Sequence, residues 1–307
     1  MTDPLQGWYE HAGVRGQKRR ILHEDREQGR VLFPEKEIPY LDNIAVAELP
    51  PGARQMLVAR HLYQYLLFTV HLETKVVNRG VSLIADDEVG YAAIAPATRI
   101  DALKIYCDEG YHALYNLDII HQIELATGIL ALPYDFTPRL DRLDATAHRF
   151  LPEHPQLARI LQVVVFETVV TSILADVPRD PTVYQVVREV VGDHARDEAD
   201  HHAFFVRFFR ELWQHLTPAL RISVARAIPH FIDDCLRPDL TAAHDSLVAA
   251  GLPTRLALDV LDESYTEAVI RAEVRHASRH TVKLLDSVGA LDLPGVRDHL
   301  CELGLAR

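Results

Sequence analysis

The chain has 307 residues, 48% of them hydrophobic and 25% charged, with a formal net charge of −12. That balance belongs to a globular protein with room for a large core, and it excludes disorder over most of the length. An acidic chain repels phosphate backbones, so no nucleic-acid partner is expected, and no basic block marks a membrane surface.

The three cysteines, Cys107, Cys235 and Cys301, are far apart and form no CxxC pair. A sparse, odd set fits a reducing compartment better than a disulfide framework. The first residues lack a charged region followed by an apolar stretch, so no signal peptide is expected. No uninterrupted apolar run approaches the ~18 residues of a membrane span. A cytoplasmic protein without membrane contact is the expectation.

In chain order, residues 1–52 carry Pro34, Pro39 and Pro50 with Pro51 just inside. They read as an irregular N-terminal arm packed on the domain, and the basic run from Arg15 to Arg20 as a solvated tail. From residue 53 the pattern is helical. Apolar stripes of helical period cover 53–79, 98–128, 154–176 and 181–216, with further helices over 219–236, 239–250 and 254–288. Asp180-Pro181 reads as the N-cap and first-turn pair of the helix over 181–216. The run Val163–Val165 is β-prone but lies inside a stripe of period near 3.6. No solenoid repeat and no Gly-rich phosphate loop occurs. The expectation is all-α: one helical domain over 53–307, made of a four-helix bundle (53–216) and accessory helices (217–307).

Two acids fall on apolar helix faces. Glu73 has Leu66, Val70, Val76 and Val77 at helical offsets, and Glu167 has Ile160, Val163, Val164, Val170 and Leu174. A buried lone carboxylate costs several kcal/mol unless it is paired, protonated or bound to metal. Neither face offers a basic partner. The other two helices carry Glu109-x-x-His112 and Glu198-x-x-His201, each placing a carboxylate and an imidazole one turn apart on one face. Two such pairs and a Glu from each of two further helices form the ligand set of bundle-housed dinuclear iron or manganese. Carboxylates with imidazole suit those hard metals. His194, four residues before Glu198 and seven before His201, shares their face and adds a third imidazole.

The residue before each motif glutamate is an aspartate. A crossed arrangement is expected, with Asp108 accepting from His201 and Asp197 from His112, so that each orients a metal-binding ring. Glu273-x-x-His276 also fits the motif, but Arg271, Arg275 and Arg279 surround it and no companion acids remain, so it reads as a solvated or salt-bridged face. Cys107 should face away from the site as a small core residue. Leu66, Val70, Tyr106, Val163 and Phe205, beside the site residues, are candidates to line a substrate pocket, with core packing the expected role of any one of them.

The order Glu73, Asp108-Glu109-Gly-Tyr-His112, Glu167 and His194-x-x-x-Glu198-x-x-His201 resembles the AurF-type diiron N-oxygenases, which include p-aminobenzoate and chloramphenicol-pathway arylamine oxygenases. The resemblance covers roughly residues 53–216. His194 is its distinguishing feature, because ferritins, ribonucleotide reductase small subunits and acyl desaturases use at most two histidines. The resemblance implies a ferritin-like fold, the seven residues as ligands of two irons, and O2 as co-substrate. It also implies oxidation of an amine to hydroxylamine, nitroso and nitro products in a biosynthetic pathway, an external electron donor and a homodimer. Oxidation at carbon, as in a hydroxylase or desaturase, and a ferritin-like iron-oxidising role remain as alternatives. A carboxylate on the substrate would call for an arginine, for which Arg271 and Arg275 are the candidates.

Overall fold

The computed structural model describes residues 4–306, so the first three residues of the expected arm lie outside it. Helix accounts for 74% of the chain, and no strand is present among the described residues. The bundle is built from α1 (Ala53–Leu72) with its continuation α2 (Asn78–Ala85), α3 (Pro96–Thr127), α5 (Pro155–Ile173) and α6 (Gln185–His215). The pairs α2–α3, α3–α6, α6–α5 and α5–α2 pack in a closed ring. Each helix turns an apolar stripe inward, and the resulting core runs from Leu5 to Leu305. The most apolar window, starting at Pro155, is 72% buried inside the fold, as befits a core helix.

The stripe expected over 53–79 is not one regular helix. Between α1 and α2 the chain makes a π-helical turn, Glu73–Val77. The wider turn accommodates an extra residue, a device found often at functional sites. It lets Glu73 point inward while α2 packs tightly against α5. At that contact a Cβ on Gly80 would fall 2.3 Å from Val163 Cγ2, so only glycine fits.

The helix expected from 181 begins at Gln185, with no side-chain cap from Tyr184. Residues 182–184 are spent on the arm instead: Val31 N–H donates to Thr182 O and Tyr184 N–H to Val31 O, both at 2.8 Å. Asp180 closes a turn by accepting from Thr182 N (3.0 Å) and Oγ1 (2.6 Å). The cap comes from 158 residues away: Glu27, 5% exposed, accepts from Gln185 N at 2.7 Å and Val186 N at 3.2 Å. A carboxylate there satisfies orphan amides and meets the positive end of the helix dipole.

Helix α4 (Thr137–Phe150) was not expected. Its stripe of Leu140, Leu143, Ala147 and Phe150 is diluted by charged neighbours. After α7 (Pro218–Leu236) and α8 (Thr241–Ala249), the segment expected over 254–288 divides into α9 (Thr254–Ser264), α10 (Glu267–Ala277) and α11 (Arg279–Ser287). Tyr265 leaves helical geometry at φ −111° and ψ 55°, and Thr266 caps α10. A last helix, α12, spans Val296–Glu302.

The arm is less irregular than its prolines suggested. Short helical turns occupy Trp8–His11, Gly13–Gly16 and Ile44–Ala47, with 3-10 turns between. Leu5, Ile38, Tyr40 and Leu41 are each 1% exposed, so the arm belongs to the core. Arg19 and Arg20 are not a free tail: Arg19 pairs with Asp118, and Arg20 with Glu189 and Asp193.

Candidate metal centre

Glu73 comes from the π turn, Glu109 and His112 from α3, Glu167 from α5, and His194, Glu198 and His201 from α6. All seven are at most 2% exposed. They fall into two overlapping groups, Glu73–His112–His194–Glu198 and Glu109–Glu167–Glu198–His201, in each of which the ligating atoms lie within 4.8 Å of one another. Glu198 belongs to both. His194 Nε2 stands 3.0 Å from Glu73 and 3.1 Å from Glu198, and His201 Nδ1 stands 2.9 Å from Glu109.

Beyond the His194 Nε2–Glu198 Oε1 hydrogen bond, these groups leave most of their polar atoms without a partner. Both oxygens of Glu73, Glu109 and Glu167, Oε2 of Glu198, and Nδ1 of His112 and His201 are buried without a hydrogen-bond partner. Orphaned buried acceptors are costly, and nine of them converging on one space call for cations. Four carboxylates carry the charge that two divalent metals balance. The donor set, oxygens and imidazole nitrogens with no thiolate, fits iron or manganese.

The electrostatics show the strain of this crowding. Burial raises Glu73 to about 7, against the pull of His194. Burial and the neighbouring charges of Glu198 and Glu109 drive Glu167 well above the carboxylate range. Burial opposes the Glu198 charge too, but His201, His112 and His194 hold it well below that range. Burial disfavours the imidazolium forms of His112 and His201, yet the surrounding carboxylates hold both well above their ordinary value.

The aspartates stand behind the rings in crossed fashion. Asp108 Oδ2 is 3.2 Å from His201 Nε2, and Asp197 Oδ2 is 3.2 Å from His112 Nε2. Accepting the Nε2–H of each ring leaves Nδ1 to face the acids.

Sequence reasoning missed the layer behind the aspartates, which the arm supplies. Trp8 Nε1–H donates to Asp108 Oδ2 at 2.7 Å, and Gly13 N–H reaches Asp197 at 3.3 Å. A Cβ on Gly13 would fall 2.8 Å from Asp197 Oδ2, so this close approach requires glycine. Tyr115 was also missed. Its ring centroid is 5.5 Å from His112 and 6.1 Å from His194, and its buried hydroxyl has no partner. Its position, three residues after His112, was the one available signal.

Arg271 is held by Glu267 at 2.7 Å, and Arg275 donates to Gly304 O at 2.6 Å. Neither lines a cavity near the centre, because their side of α10 packs on the C-terminal residues. Glu273 and His276 are exposed, and His276 bonds to Arg279. Leu66, Val70, Val163 and Phe205 are core residues, whereas Tyr106 is 45% exposed. Cys107 faces away from the site but is exposed rather than packed in the core, because its side of α3 has no covering element.

A cavity of about 280 Å³ lies between α1, α5, α7 and α10, lined by His61, Tyr65, Phe68, Tyr134, Arg139 and Glu273 among others. Its walls share helices with the centre. Phe68 precedes Glu73 by about 7.5 Å of helix rise, and Ile173 follows Glu167 by about 9 Å. The one guanidinium in its lining, Arg139, is committed to the carbonyls of Asp234 (2.8 Å), Cys235 and Arg237 (3.2 Å), with Phe68 beneath it.

Residues 21–289 match the family described as P-aminobenzoate N-oxygenase AurF. The chain is also similar to 4-aminobenzoate N-oxygenase of Streptomyces thioluteus, at 22% identity over 225 residues. That match covers 72% of this chain and 66% of the relative, so the chain spans just under two thirds of that protein's length. Because the family match runs through every helix that contributes to the buried cluster, the chain belongs to the AurF family.

Proposed function

We propose that this protein is an O2-dependent N-oxygenase that holds two irons between Glu73, Glu109, His112, Glu167, His194, Glu198 and His201. The observation that carries the reading is the pair of buried groups joined through Glu198, with their unsatisfied oxygens and nitrogens turned toward one space. Two irons held there would supply the activation of O2 and the oxidising equivalents for the amine nitrogen, with electrons from an external donor. Asp108 and Asp197 keep the Nε2 protons of His201 and His112 in place, so both rings present Nδ1 inward. His194 presents Nε2 instead, close to Glu73 and Glu198. Val70 and Val163, one turn before Glu73 and Glu167, are buried and keep water from the neighbourhood of the acids.

The cavity whose walls share α1 and α5 with the centre suits the apolar body of an aryl amine. The relative's substrate, 4-aminobenzoate, carries a carboxylate. Here the cavity lining contains Asp239 and Glu273, and its only guanidinium is already engaged by backbone carbonyls. We infer an amine substrate without a carboxylate. The test is turnover of iron-loaded protein with a chemical reductant and O2, offered aniline and 4-aminobenzoate in equal amounts. Hydroxylamine, nitroso or nitro products formed mainly from aniline are expected. Preference for 4-aminobenzoate would overturn the substrate inference. Products hydroxylated at carbon, or ferric oxide alone, would overturn N-oxygenation.

A further inference from the structure

The cavity of about 280 Å³ has two unlike ends. Its near end lies toward the buried acids, where Phe68 precedes Glu73 on α1. Its far end is marked by His61, roughly 10 Å further from Glu73 along the same helix. Arg139 belongs to the near end, with its guanidinium carbon 4.9 Å from the Phe68 ring centroid. Glu273 belongs to the far end, and Tyr40 links it to His61. The Tyr40 ring is 6.1 Å from His61 and 6.5 Å from Tyr265, and Tyr265 in turn feels the Glu273 charge.

Nothing in the protein answers that charge. The nearest cations in sequence are engaged elsewhere: Arg271 on Glu267, Arg275 on the Gly304 carbonyl and Arg279 on His276. Among the described residues no hydrogen bond or ion pair reaches the Glu273 carboxylate. Asp239, the other acid of the lining, is used at the start of α8, where it accepts from Thr241 N at 3.0 Å. Glu273 is open to solvent on its outer side, yet burial, with the Glu37 charge nearby, raises its carboxyl above the ordinary value. His61 makes no hydrogen bond either, and burial keeps its ring neutral at pH 7. A neutral imidazole offers a lone pair and does not repel a cation.

We propose that the far end of the cavity binds a protonated amino group of the substrate through Glu273, with His61 alongside. The substrate is then an aryl amine that carries an aminoalkyl chain. An alkyl amine is charged at pH 7 and an aryl amine is not. Arg139 repels the charged end from the near side, so the two unlike ends admit the molecule one way round, with its neutral nitrogen toward the buried acids. The volume equals about nine waters at ~30 Å³ each, room for an aryl ring and a short chain. The inference rests on the reading of this cavity as the substrate site.

The test is calorimetric binding to iron-loaded protein, kept anaerobic at pH 7, of 4-(2-aminoethyl)aniline, 4-ethylaniline and 3-(4-aminophenyl)propanoate. The cationic compound should bind about tenfold tighter than 4-ethylaniline, the size of one charge-assisted hydrogen bond in a partly desolvated site. The anionic compound should bind weakest. Glu273→Gln should remove the preference for the cation and leave the Kd of 4-ethylaniline unchanged. Equal affinities for the first two compounds overturn the proposal, as does a preference that survives Glu273→Gln. So does an anion bound as tightly as the cation, a comparison that needs no variant. Turnover separates this from the reading on which it rests. Glu273-dependent binding without oxidation of the aromatic nitrogen would keep the subsite and sink N-oxygenation, and N-oxidation without any binding preference would do the reverse.

Discussion

The indole N–H of Trp8 donates to Asp108 Oδ2 at 2.7 Å across 100 residues of sequence. The same oxygen stands 3.2 Å from Nε2 of His201, so the N-terminal arm holds the group that orients a site histidine. Trp8→Phe keeps an aromatic ring, smaller than the indole, and removes the donor. The iron dissociation constant should rise about tenfold, the low end for loss of an outer partner at a metal site. Gly13→Ala should have a comparable effect from the other side by pushing Asp197 off His112. Ferrous titration against a chelator measures both, and unchanged affinity would show that the arm is passive.

Glu198 belongs to both buried groups, whereas Glu73 and Glu167 each belong to one. Anaerobic loading of the unmodified protein should give two irons per chain. Glu198→Ala should lose both. Glu73→Ala and Glu167→Ala should each retain about one, because four carboxylates for two divalent ions leave one ion served when a single terminal acid is removed. Iron analysis after desalting checks the three variants together. Equal loss in all three would mean that the ions bind only as a pair.

Glu27 caps α6, the helix that carries His194, Asp197, Glu198 and His201. Glu27→Ala should destabilise the fold by about 1–2 kcal/mol, the scale of losing a charged N-cap. Glu27→Gln should cost less, since an amide oxygen still accepts one bond. Urea unfolding midpoints distinguish the two, and an unchanged midpoint in Glu27→Ala would show that solvent replaces the cap.

His61 packs 5.0 Å from Phe33 and 6.1 Å from Tyr40, centroid to centroid, and burial pushes its pKa from 6.5 down to about 4. Below pH 6.5 the unfolded chain takes up a proton that the folded chain refuses until about pH 4. Stability is therefore lost as pH falls through that window, on the order of 3 kcal/mol from this residue. In metal-free protein, His61→Phe should flatten the fall in unfolding free energy between those two pH values. A variant whose pH profile runs parallel to the unmodified protein would rule this contribution out.

How much was readable from sequence differs between neighbouring residues. Glu109 and His112, or Glu198 and His201, share a face because they are three apart on a helix, and any helix of that sequence shows it. The fall of Glu73 and Glu167 on apolar stripes is equally local, so the bundle and the meeting of seven residues followed from spacing. The π turn at Glu73 left no such mark, since its geometry is set by α2 settling against α5 through Gly80. The start of α6 was misplaced by four residues for a related reason: the pairing of Val31 with Val183 takes up the backbone that an Asp-Pro start would have used.

By itself, the order of residues determined which side chains share a helix face, and hence that four helices carry acids and imidazoles inward. Helical periodicity is a short-range property that neighbours in sequence express without help. Only the tertiary structure decided what stands behind those faces. Trp8 on Asp108, Gly13 on Asp197 and Glu27 on the α6 amides each join positions 100 or more residues apart. Contacts of that span arise when the arm buries Leu5, Ile38 and Tyr40 against the bundle, and apolar burial has no direction and leaves no period in the sequence.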